Sequence, residues 1–313
     1  MNSANPILSI ITPTWNPDMD SFQKTAESVL SAIHPDWEWV IMVHNSAPEV
    51  PVMIRKLTGD RENIRILEKH DDTHSPSVPR NEGIRRARGK YIYLLDHDDV
   101  IEKGFLETAV ERMEQEKCDI LIGRCEKKLN EEGLYEVPMV LDFPETDQEC
   151  VQVPDDPDIK GRLLYGAPVM LACKVIRREL LIINGIYFDD DIMLAEDFLF
   201  TLRCFCRTKK ICVMPKLTAY TYVQHEGSLL QRMMGEDSFP VETYTEPVRR
   251  TVKLALENNI SPSHYVWIMM GMFTVIYQKS SMSPEKKRQM MTEIQQYIPL
   301  LKFDGRRKPK SWE

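Results

Sequence analysis

The stretch Tyr91-Ile92-Tyr93-Leu94-Leu95-Asp96-His97-Asp98-Asp99 places an apolar run directly before three carboxylates. The continuous apolar run predicts a strand that is buried on both faces, as in the interior of a parallel sheet. Carboxylates two positions apart at the end of a strand can converge on one ligand, and their hard oxygens suit Mg²⁺ or Mn²⁺. Asp96 and Asp98 are therefore candidate metal ligands. The alternative interpretation is a polar turn that begins the next helix.

On both sides of this strand, the first 125 residues alternate between strand and helix patterns. Strands are predicted at Ile7–Thr12, Trp37–Val43, Ile64–Leu67, Tyr91–Leu95 and Ile120–Gly123, and helices at Ser21–Ile33, Pro51–Leu57, Val78–Ala87 and Phe105–Met113. We expect Asp20 and Ser77 to cap two of these helices. The alternation predicts an α/β fold with a mostly parallel sheet that is covered on both faces. In such sheets ligands bind at the carboxyl ends of the strands.

The pattern changes after residue 125. The segment 126–158 is rich in Pro, Asp and Glu and predicts loops with edge strands. Three amphipathic patterns near the end predict helices at Glu246–Asn258, Ser263–Gln278 and Pro284–Tyr297. We therefore divide the chain into a ligand-binding domain at 1–235 and a helical C-terminal region at 236–313.

The composition is that of an ordinary globular protein, since 42% of the 313 residues are apolar and 28% are charged. The net charge of −8 argues against nucleic acid as a partner, because nucleic-acid binding needs a basic face. None of the seven cysteines shows Cys-x-x-Cys spacing, and we expect reduced, mostly buried thiols in a cytoplasmic protein. The sequence has neither a signal-peptide pattern nor an apolar run of membrane-spanning length, which predicts a soluble protein.

Three further motifs supply groups that could take part in chemistry. Arg80-Asn81 opens a helix, where a guanidinium and free backbone N–H groups favour an anion. Glu196-Asp197 opens another helix, and His225-Glu226-Gly227-Ser228 follows a strand. Each motif has a simpler interpretation: a surface arginine, acidic residues that complement a helix dipole, and a polar loop histidine.

In combination the motifs resemble the family 2 inverting glycosyltransferases, whose fold is called GT-A. The resemblance rests on five segments in a fixed order: Thr12-Pro13-Thr14-Trp15-Asn16, Arg80-Asn81-x-Gly83, Asp96-His97-Asp98-Asp99, Glu196-Asp197 and His225-Glu226-Gly227-Ser228. It covers roughly residues 5–232. The resemblance implies a GT-A fold and direct transfer of a sugar from a nucleotide diphosphate to a hydroxyl group, with a β-linked product from an α-linked donor.

The resemblance also implies a role for each matching residue. Residues of the nucleotide site would be Thr12, Pro13, Trp15, Arg80 and Asp96. Asp98 would bind Mn²⁺ or Mg²⁺, with help from Asp96 and His225. Asp197 would be the catalytic base, with Glu196 beside it.

The sequence departs from the family pattern after the second strand. Family members usually carry aspartates there, one of which contacts the uracil ring, whereas this chain has His44 and Asn45. An imidazole or an amide can still form hydrogen bonds with a base edge. We keep both residues as nucleotide contacts, with a UDP-sugar as the expected donor and GDP- or dTDP-sugars as alternatives. A non-catalytic protein that binds a sugar nucleotide or a protein partner is the alternative function.

Two other enzyme classes fit less well. A nucleotidyltransferase would need a Gly-rich basic loop after the first strand, and a dinucleotide oxidoreductase would need the motif G-x-G-x-x-G. The sequence contains neither motif. The expected acceptor is a glycan or a lipid-linked glycan. The helical C-terminal region with its basic Gly305–Lys310 tail could contact a membrane surface, with a helical cap or a homodimer interface as the alternative.

Overall fold

The computed structural model describes residues 5–73, 75–129, 134–136, 151–153, 155–166, 170–224, 235–263, 273–274 and 276–300. The strands are β1 (Leu8–Thr14), β2 (Trp37–His44), β3 (Ile64–Lys69), β4 (Tyr91–Leu94), β5 (Val100–Ile101), β6 (Ile120–Leu129), β7 (Leu134–Glu136), β8 (Val151–Val153), β9 (Lys174–Arg177) and β10 (Ile211–Gln224). The helices are α1 (Met19–Ala32), α2 (Val50–Thr58), α3 (Ser77–Arg86), α4 (Phe105–Glu116), α5 (Pro157–Gly166), α6 (Arg178–Ile183), α7 (Glu196–Arg207), α8 (Glu242–Glu257) and α9 (Pro284–Gln295).

The strands of the described residues form one sheet in the order β3-β2-β1-β4-β9-β6-β10-β5, with β7 beside β6 and β8 beside β10. The first four strands of this order are parallel, which confirms the α/β prediction and the interior position of β4. Beyond β4 the sheet is mixed, because β9 lies antiparallel between β4 and β6. No local sequence pattern reveals that β9 lies between two strands that precede it in the chain.

Apolar residues alternate between the two faces of the sheet, as the two-residue period of a strand requires. On β2, Val40 and Met42 join one core cluster while Trp39 and Ile41 join the other. Helices α1, α2 and α4 cover the face of Trp39. Helices α3, α6, α7, α8 and α9 cover the opposite face. The C-terminal helices therefore share a core with the strands that carry the site.

Helix α3 lies unusually close to β1. A Cβ at Gly83 would overlap Cγ2 of Ile11, so the glycine of the Arg80-Asn81-x-Gly83 motif permits this approach. The capping predictions were wrong in detail. Asp18, not Asp20, accepts the backbone N–H of Ser21 at the start of α1. Ser77 lies inside α3, and its N–H donates to Oγ of Ser75.

The structure also bears on the predictions about the cysteines and about membrane-spanning segments. Of the cysteines among the described residues, five are free thiols, four of them buried, but Cys212 is disulfide-bonded, so the expectation of reduced thiols was wrong at that position. In the described part of the chain, no helix has both the length and the apolarity to cross a membrane. The Gly305–Lys310 tail lies outside the described residues, as does most of the predicted helix at 263–278. The boundary between residues 235 and 236 stays a prediction.

Candidate active site

The turn after β4 brings Asp96 and Asp98 to the carboxyl end of the parallel strands. The N–H of Leu95 still donates to Ile11 of β1, and the chain then turns so that the N–H of Asp99 donates to the carbonyl of Asp96 at 3.4 Å. Thr25 of α1 fixes this turn by donating its hydroxyl to the carbonyl of His97 at 2.9 Å. Asp99 is buried, whereas Asp96 and Asp98 are accessible to a ligand.

Glu196 and Asp197 occupy the first turn of α7, where the helix dipole favours negative charge. The residue before them, Ala195, has a φ of 58°, a left-handed conformation that is unfavourable for a residue with a Cβ. Its carbonyl accepts the N–H of Phe198 at 3.2 Å, which closes the first turn. Strain of this kind persists only where the surrounding structure enforces it.

Arg80 joins the two acidic segments. Its Nη1 donates to Oε1 of Glu196 at 2.6 Å, and its Nη2 donates to Oδ1 of Asp96 at 2.7 Å. The Arg80 side chain is only 6% exposed, while Asp96 is 45% exposed. The guanidinium also lies over the ring of Phe188, 5.5 Å from its centroid. Residues that lie 116 positions apart in the chain thus meet in one cluster of charges.

The carboxyl groups of this cluster have perturbed pKa values. Burial raises the pKa of Glu196 to about 8, the charge of Asp197 adds to the effect, and Arg80 opposes it. Burial also raises the pKa of Asp197, which Arg80 opposes and the charge of Asp96 increases. Although burial works against it, Asp96 and Glu196 raise the pKa of Arg80. Perturbed carboxyl groups at the ligand-binding end of a sheet are typical of catalytic sites.

Sequence reasoning missed two residues near this cluster, Tyr222 of β10 and Lys174 of β9. Burial raises the pKa of Tyr222 to about 12, and the charges of Asp99, Asp98, Asp96 and Asp197 add to the rise. Burial lowers the pKa of Lys174, while its charge lowers the pKa of Asp197. The ammonium of Lys174 donates to the carbonyl of Met170 at 2.8 Å. Lys174 is the one charged residue in the otherwise apolar sequence stretch Val169–Ile176, and this pattern was the signal for it.

The end of β1 supplies the predicted nucleotide contacts Thr12, Pro13 and Trp15. Thr12 is fully buried, and its hydroxyl oxygen accepts the indole N–H of Trp39 at 3.0 Å, so this side chain belongs to the core. Trp15 is 48% exposed and lies just beyond the strand. The following residue, Asn16, binds the turn after β2, because its N–H donates to Oγ of Ser46 at 3.0 Å.

His44 and Asn45, at the end of β2, form hydrogen bonds with the segment that follows β3. His44 is buried, and its Nε2 lies 3.0 Å from Oδ1 of Asp71. Asn45 accepts the N–H of Asp71 at 2.9 Å and donates to the carbonyl of Thr73 at 2.7 Å. Both groups on the amide of Asn45 are therefore bonded to backbone. A carboxylate does lie beside this turn, but it belongs to Asp71, which follows the neighbouring strand β3.

The accessible carboxylates fit a divalent cation in part. Among the described residues no three His, Cys, Asp or Glu side chains are grouped closely enough to hold a metal by themselves. Mg²⁺, however, is usually held by one or two carboxylates together with water and substrate phosphates. Asp96 and Asp98 offer hard oxygens of that kind, and Arg80 occupies Oδ1 of Asp96. The third predicted ligand, His225, lies outside the described residues.

A comparison with protein families agrees with this geometry. The family model described as Glycosyl transferase family 2 matches residues 9–179, more than half of the chain. The chain belongs to glycosyl transferase family 2. The matched region includes all of β1 except Leu8, together with Arg80 and the Asp96–Asp98 turn, while the Glu196–Asp197 pair lies after it.

Two curated relatives in this family are similar to the chain over most of its length. Poly(ribitol-phosphate) beta-N-acetylglucosaminyltransferase TarS of Staphylococcus aureus is 26% identical over 220 residues, which are 70% of this chain and 36% of TarS. Poly(ribitol-phosphate) beta-glucosyltransferase of Bacillus spizizenii is 27% identical over 222 residues, which are 70% of this chain and 33% of that protein. The chain thus spans about a third of the length of these relatives.

A solved structure shows the same fold. The crystal structure of S. aureus TarS in complex with UDP-GlcNAc superposes with a TM-score of 0.70 at 20% identity, and the match covers 95% of this chain and 82% of that one. The GT-A fold, an α/β fold with C-terminal helices, is therefore the fold of this chain.

Proposed function

We propose that the chain transfers a sugar from a UDP-sugar to a hydroxyl group of a glycan polymer or glycolipid, with inversion at the anomeric carbon. The observation that supports this most is the charge cluster in which Arg80 joins Asp96 to Glu196, next to Asp197. The cluster contains a candidate catalytic base and lies beside a candidate binding site for the diphosphate of the donor, at one end of the sheet. The family membership and the activities named for the relatives agree with the proposal.

In the proposed reaction the acceptor oxygen forms a bond to the anomeric carbon while the bond from that carbon to the diphosphate oxygen breaks. The electron pair of the broken bond leaves with UDP. Asp197 takes the proton of the attacking hydroxyl as the new bond forms, which makes the hydroxyl a better nucleophile. Arg80 keeps Glu196 and Asp96 in place on either side of its guanidinium.

Asp98 and Asp96 would hold Mn²⁺ or Mg²⁺ against the diphosphate, and His225 remains a third candidate from the sequence. Such a cation would neutralise charge on the leaving diphosphate. Both carboxylates are accessible and follow β4, at the edge where ligands bind in such sheets.

Nucleotide contacts are proposed for Pro13, Trp15, His44 and Asn45, together with the backbone at Thr12. Asp71 joins this group, since it lies against His44 at the same sheet edge. Although burial opposes it, hydrogen bonds from Thr73 and His44 lower the pKa of Asp71, so the carboxyl stays an anionic acceptor. A carboxylate acceptor suits an N–H donor on a base edge, as on uracil.

The names of the relatives suggest UDP-N-acetylglucosamine or UDP-glucose as the donor and a poly(ribitol-phosphate) as one acceptor to test. We propose that the chain works in the cytoplasm, where nucleotide sugars are made. Contact of the C-terminal region with a membrane surface and pairing with a second copy are further proposals, which the basic tail and the amphipathic helix patterns suggest.

A thermal unfolding assay with UDP, GDP, CDP and dTDP, each with and without Mn²⁺, tests the donor class. We expect UDP with Mn²⁺ to stabilise the wild type, since a ligand at 100 times its Kd stabilises a protein by about 2.7 kcal/mol. Asp98→Asn should lose this effect. Asp20→Asn, at an exposed position in α1, should keep it. If no nucleotide stabilises any of these proteins, the alternative of a non-catalytic protein that binds a protein partner is favoured.

Release of UDP from UDP-N-acetylglucosamine and UDP-glucose tests the assignment of the base. Asp197→Asn should lower the rate by about 10²–10⁴-fold, the usual contribution of general base catalysis, while UDP still stabilises the variant. A variant that turns over at the wild-type rate would show that Asp197 is not the base.

A further inference from the structure

Three consecutive aspartates, Asp189-Asp190-Asp191, lie shortly before Glu196-Asp197. Together they place five carboxyl groups within nine residues, and like charges so close together repel one another. The proposed reaction gives none of the three aspartates a role. Their partners in the structure show how this acidic stretch is held.

Three elements bind the segment Tyr187–Ile192. Asn81 of α3 donates to Oδ1 of Asp190 at 2.8 Å and also exchanges hydrogen bonds with the backbone of Phe188. The hydroxyls of Ser75 and Ser77, at the start of α3, donate to the carbonyl of Ile192 at 2.8 and 3.2 Å. Arg203 of α7 and Arg250 of α8 bind the two remaining aspartates.

Arg250 uses all three of its guanidinium nitrogens. Nη1 donates to Oδ2 of Asp189 and to Oδ1 of Asp191, both at 2.9 Å, and Nη2 donates to Oδ2 of Asp191 at 2.6 Å. Nε donates to Oε1 of Glu246 on its own helix at 2.7 Å. Two parallel bonds between one guanidinium and one carboxylate define geometry as well as adding energy.

Asp189 also connects Arg250 to the helix that begins with the catalytic pair. Nη2 of Arg203 lies 2.8 and 3.0 Å from the two oxygens of Asp189, and Nη1 donates to the carbonyl of Tyr187 at 2.7 Å. Arg203 stands two turns after Glu196 on α7. A chain of ion pairs thus runs from α8 through Asp189 to α7.

The strained residue Ala195 gives this arrangement a consequence for the site. Its left-handed conformation directs the chain into Glu196, and the segments on either side must hold it there. If Arg250 no longer held Asp189 and Asp191, the segment before Ala195 would be free to shift. Ala195 could then relax, and the first turn of α7 would rotate. Glu196 would then leave its position against Arg80.

We propose that Arg250 is a positioning residue for the Glu196–Asp197 pair, so that the C-terminal helical region completes the active site. The inference rests on the proposed function in one respect, the catalytic use of Asp197. The binding of the Tyr187–Ile192 segment by Arg250 does not depend on that function.

Arg249 provides a matched control. It is the neighbouring arginine on α8, and it binds the same Glu246 at 2.5 and 2.6 Å, but its hydrogen bonds do not extend to the aspartates. Arg250→Gln and Arg249→Gln therefore remove the same charge from the same helix. Arg250→Lys keeps the charge but loses the paired geometry, and we expect an intermediate effect.

Kinetics and hydrogen exchange together test the proposal on the full chain. In UDP release from a UDP-sugar, Arg250→Gln should lower kcat by about 10- to 100-fold, the effect of a misplacement of about 1 Å, with little change in KM. Arg249→Gln should leave kcat unchanged. Asp191→Asn combined with Arg250→Gln should lower kcat no further than Arg250→Gln alone, because the two residues act as one unit.

Amide exchange provides a readout that does not depend on the donor. In the folded protein, peptides from residues 192–198 should exchange faster in Arg250→Gln than in Arg249→Gln. Equal exchange in the two variants would overturn the proposal, and so would faster exchange with an unchanged kcat. If the wild type releases no UDP from any UDP-sugar, the proposed function fails, and the exchange comparison still decides whether Arg250 holds the segment.

Discussion

Arg80 is buried among more acid side chains than one cation can neutralise. It bonds to Glu196 and Asp96, and Asp197 adds a third charge nearby. Its Nε has no hydrogen-bond partner in the described part of the chain. A protein tolerates such a site where function requires it, since an apolar core would be at least as stable. We therefore regard Arg80 as the residue on which the geometry of the site depends most.

Replacement of Arg80 by methionine should destabilise the protein strongly. The variant leaves the buried carboxyl group of Glu196 without its hydrogen-bond donor and removes the cation beside Asp96 and Asp197. A buried polar group that loses its partner typically costs about 1–3 kcal/mol. Urea unfolding at pH 7 measures the loss. Arg86→Met on the same helix is the control, because Arg86 is exposed and its ion pair with Glu82 is worth less than about 1 kcal/mol. Similar losses in both variants would contradict this account.

The raised pKa of Glu196 makes stability depend on pH in a defined direction. In the unfolded chain this carboxyl group titrates near its ordinary pKa of 4.5, whereas burial raises its pKa to about 8 in the folded protein. Between these values the folded protein keeps a proton that the unfolded chain has released, so stability falls as the pH rises. A difference of one pH unit between the folded and unfolded pKa values corresponds to about 1.4 kcal/mol of stability.

Glu196→Gln should remove much of this dependence. Between about pH 5.5 and 8, this group should lower the free energy of unfolding of the wild type by on the order of 2 kcal/mol. The variant should show a smaller fall over the same pH range. Urea titrations at the two pH values give the difference. Glu107→Gln, in the first turn of α4 and exposed, should behave as the wild type does. If the free energy of unfolding of Glu196→Gln falls with pH as steeply as that of the wild type, the pH dependence does not come from Glu196.

At the scale of elements, the local patterns predicted the first half of the fold well. The five early strand patterns correspond to β1, β2, β3, β4 and β6, and the helix patterns between them correspond to α1, α2, α3 and α4. These elements alternate regularly, so periodicity and chain order suffice to place them. The position of β9 could not be predicted in this way, because its partners β4 and β6 precede it by more than forty residues and no local pattern encodes such pairing.

The candidate site was predictable to the extent that its residues belong to ordered motifs. Asp96, Glu196 and Arg80 came from separate motifs, and the structure brings these three together. The contribution of Asp71 beside His44 was not predictable, because it depends on the register between β2 and β3. The ion pairs of Arg250 could not be predicted for a similar reason, since Asp189 and Asp191 lie about sixty residues away in the chain.

For the whole molecule, the question is whether the C-terminal helices unfold with the sheet. Val248 and Val252 of α8 lie in the same core cluster as Phe198 of α7 and Ile11 of β1. The ion pairs of Arg250 add polar contacts at the edge of this packing. Because these elements share one core, we expect them to unfold together. The division of the chain at residue 235 would then describe the sequence pattern but not a separate folding unit.

Val248→Ala tests this cooperativity. The variant leaves a cavity in the shared core and should lower the free energy of unfolding by about 2 kcal/mol. Three of the five tryptophans lie within residues 15–39, so fluorescence reports mainly on the first strands while circular dichroism reports on all helices. Both urea midpoints should fall together in Val248→Ala, and neither should move in Leu256→Ala, at an exposed position of the same helix. A fall seen by circular dichroism alone would mean that α8 unfolds independently, and Arg250 could then hold the Tyr187–Ile192 segment only while that helix is docked.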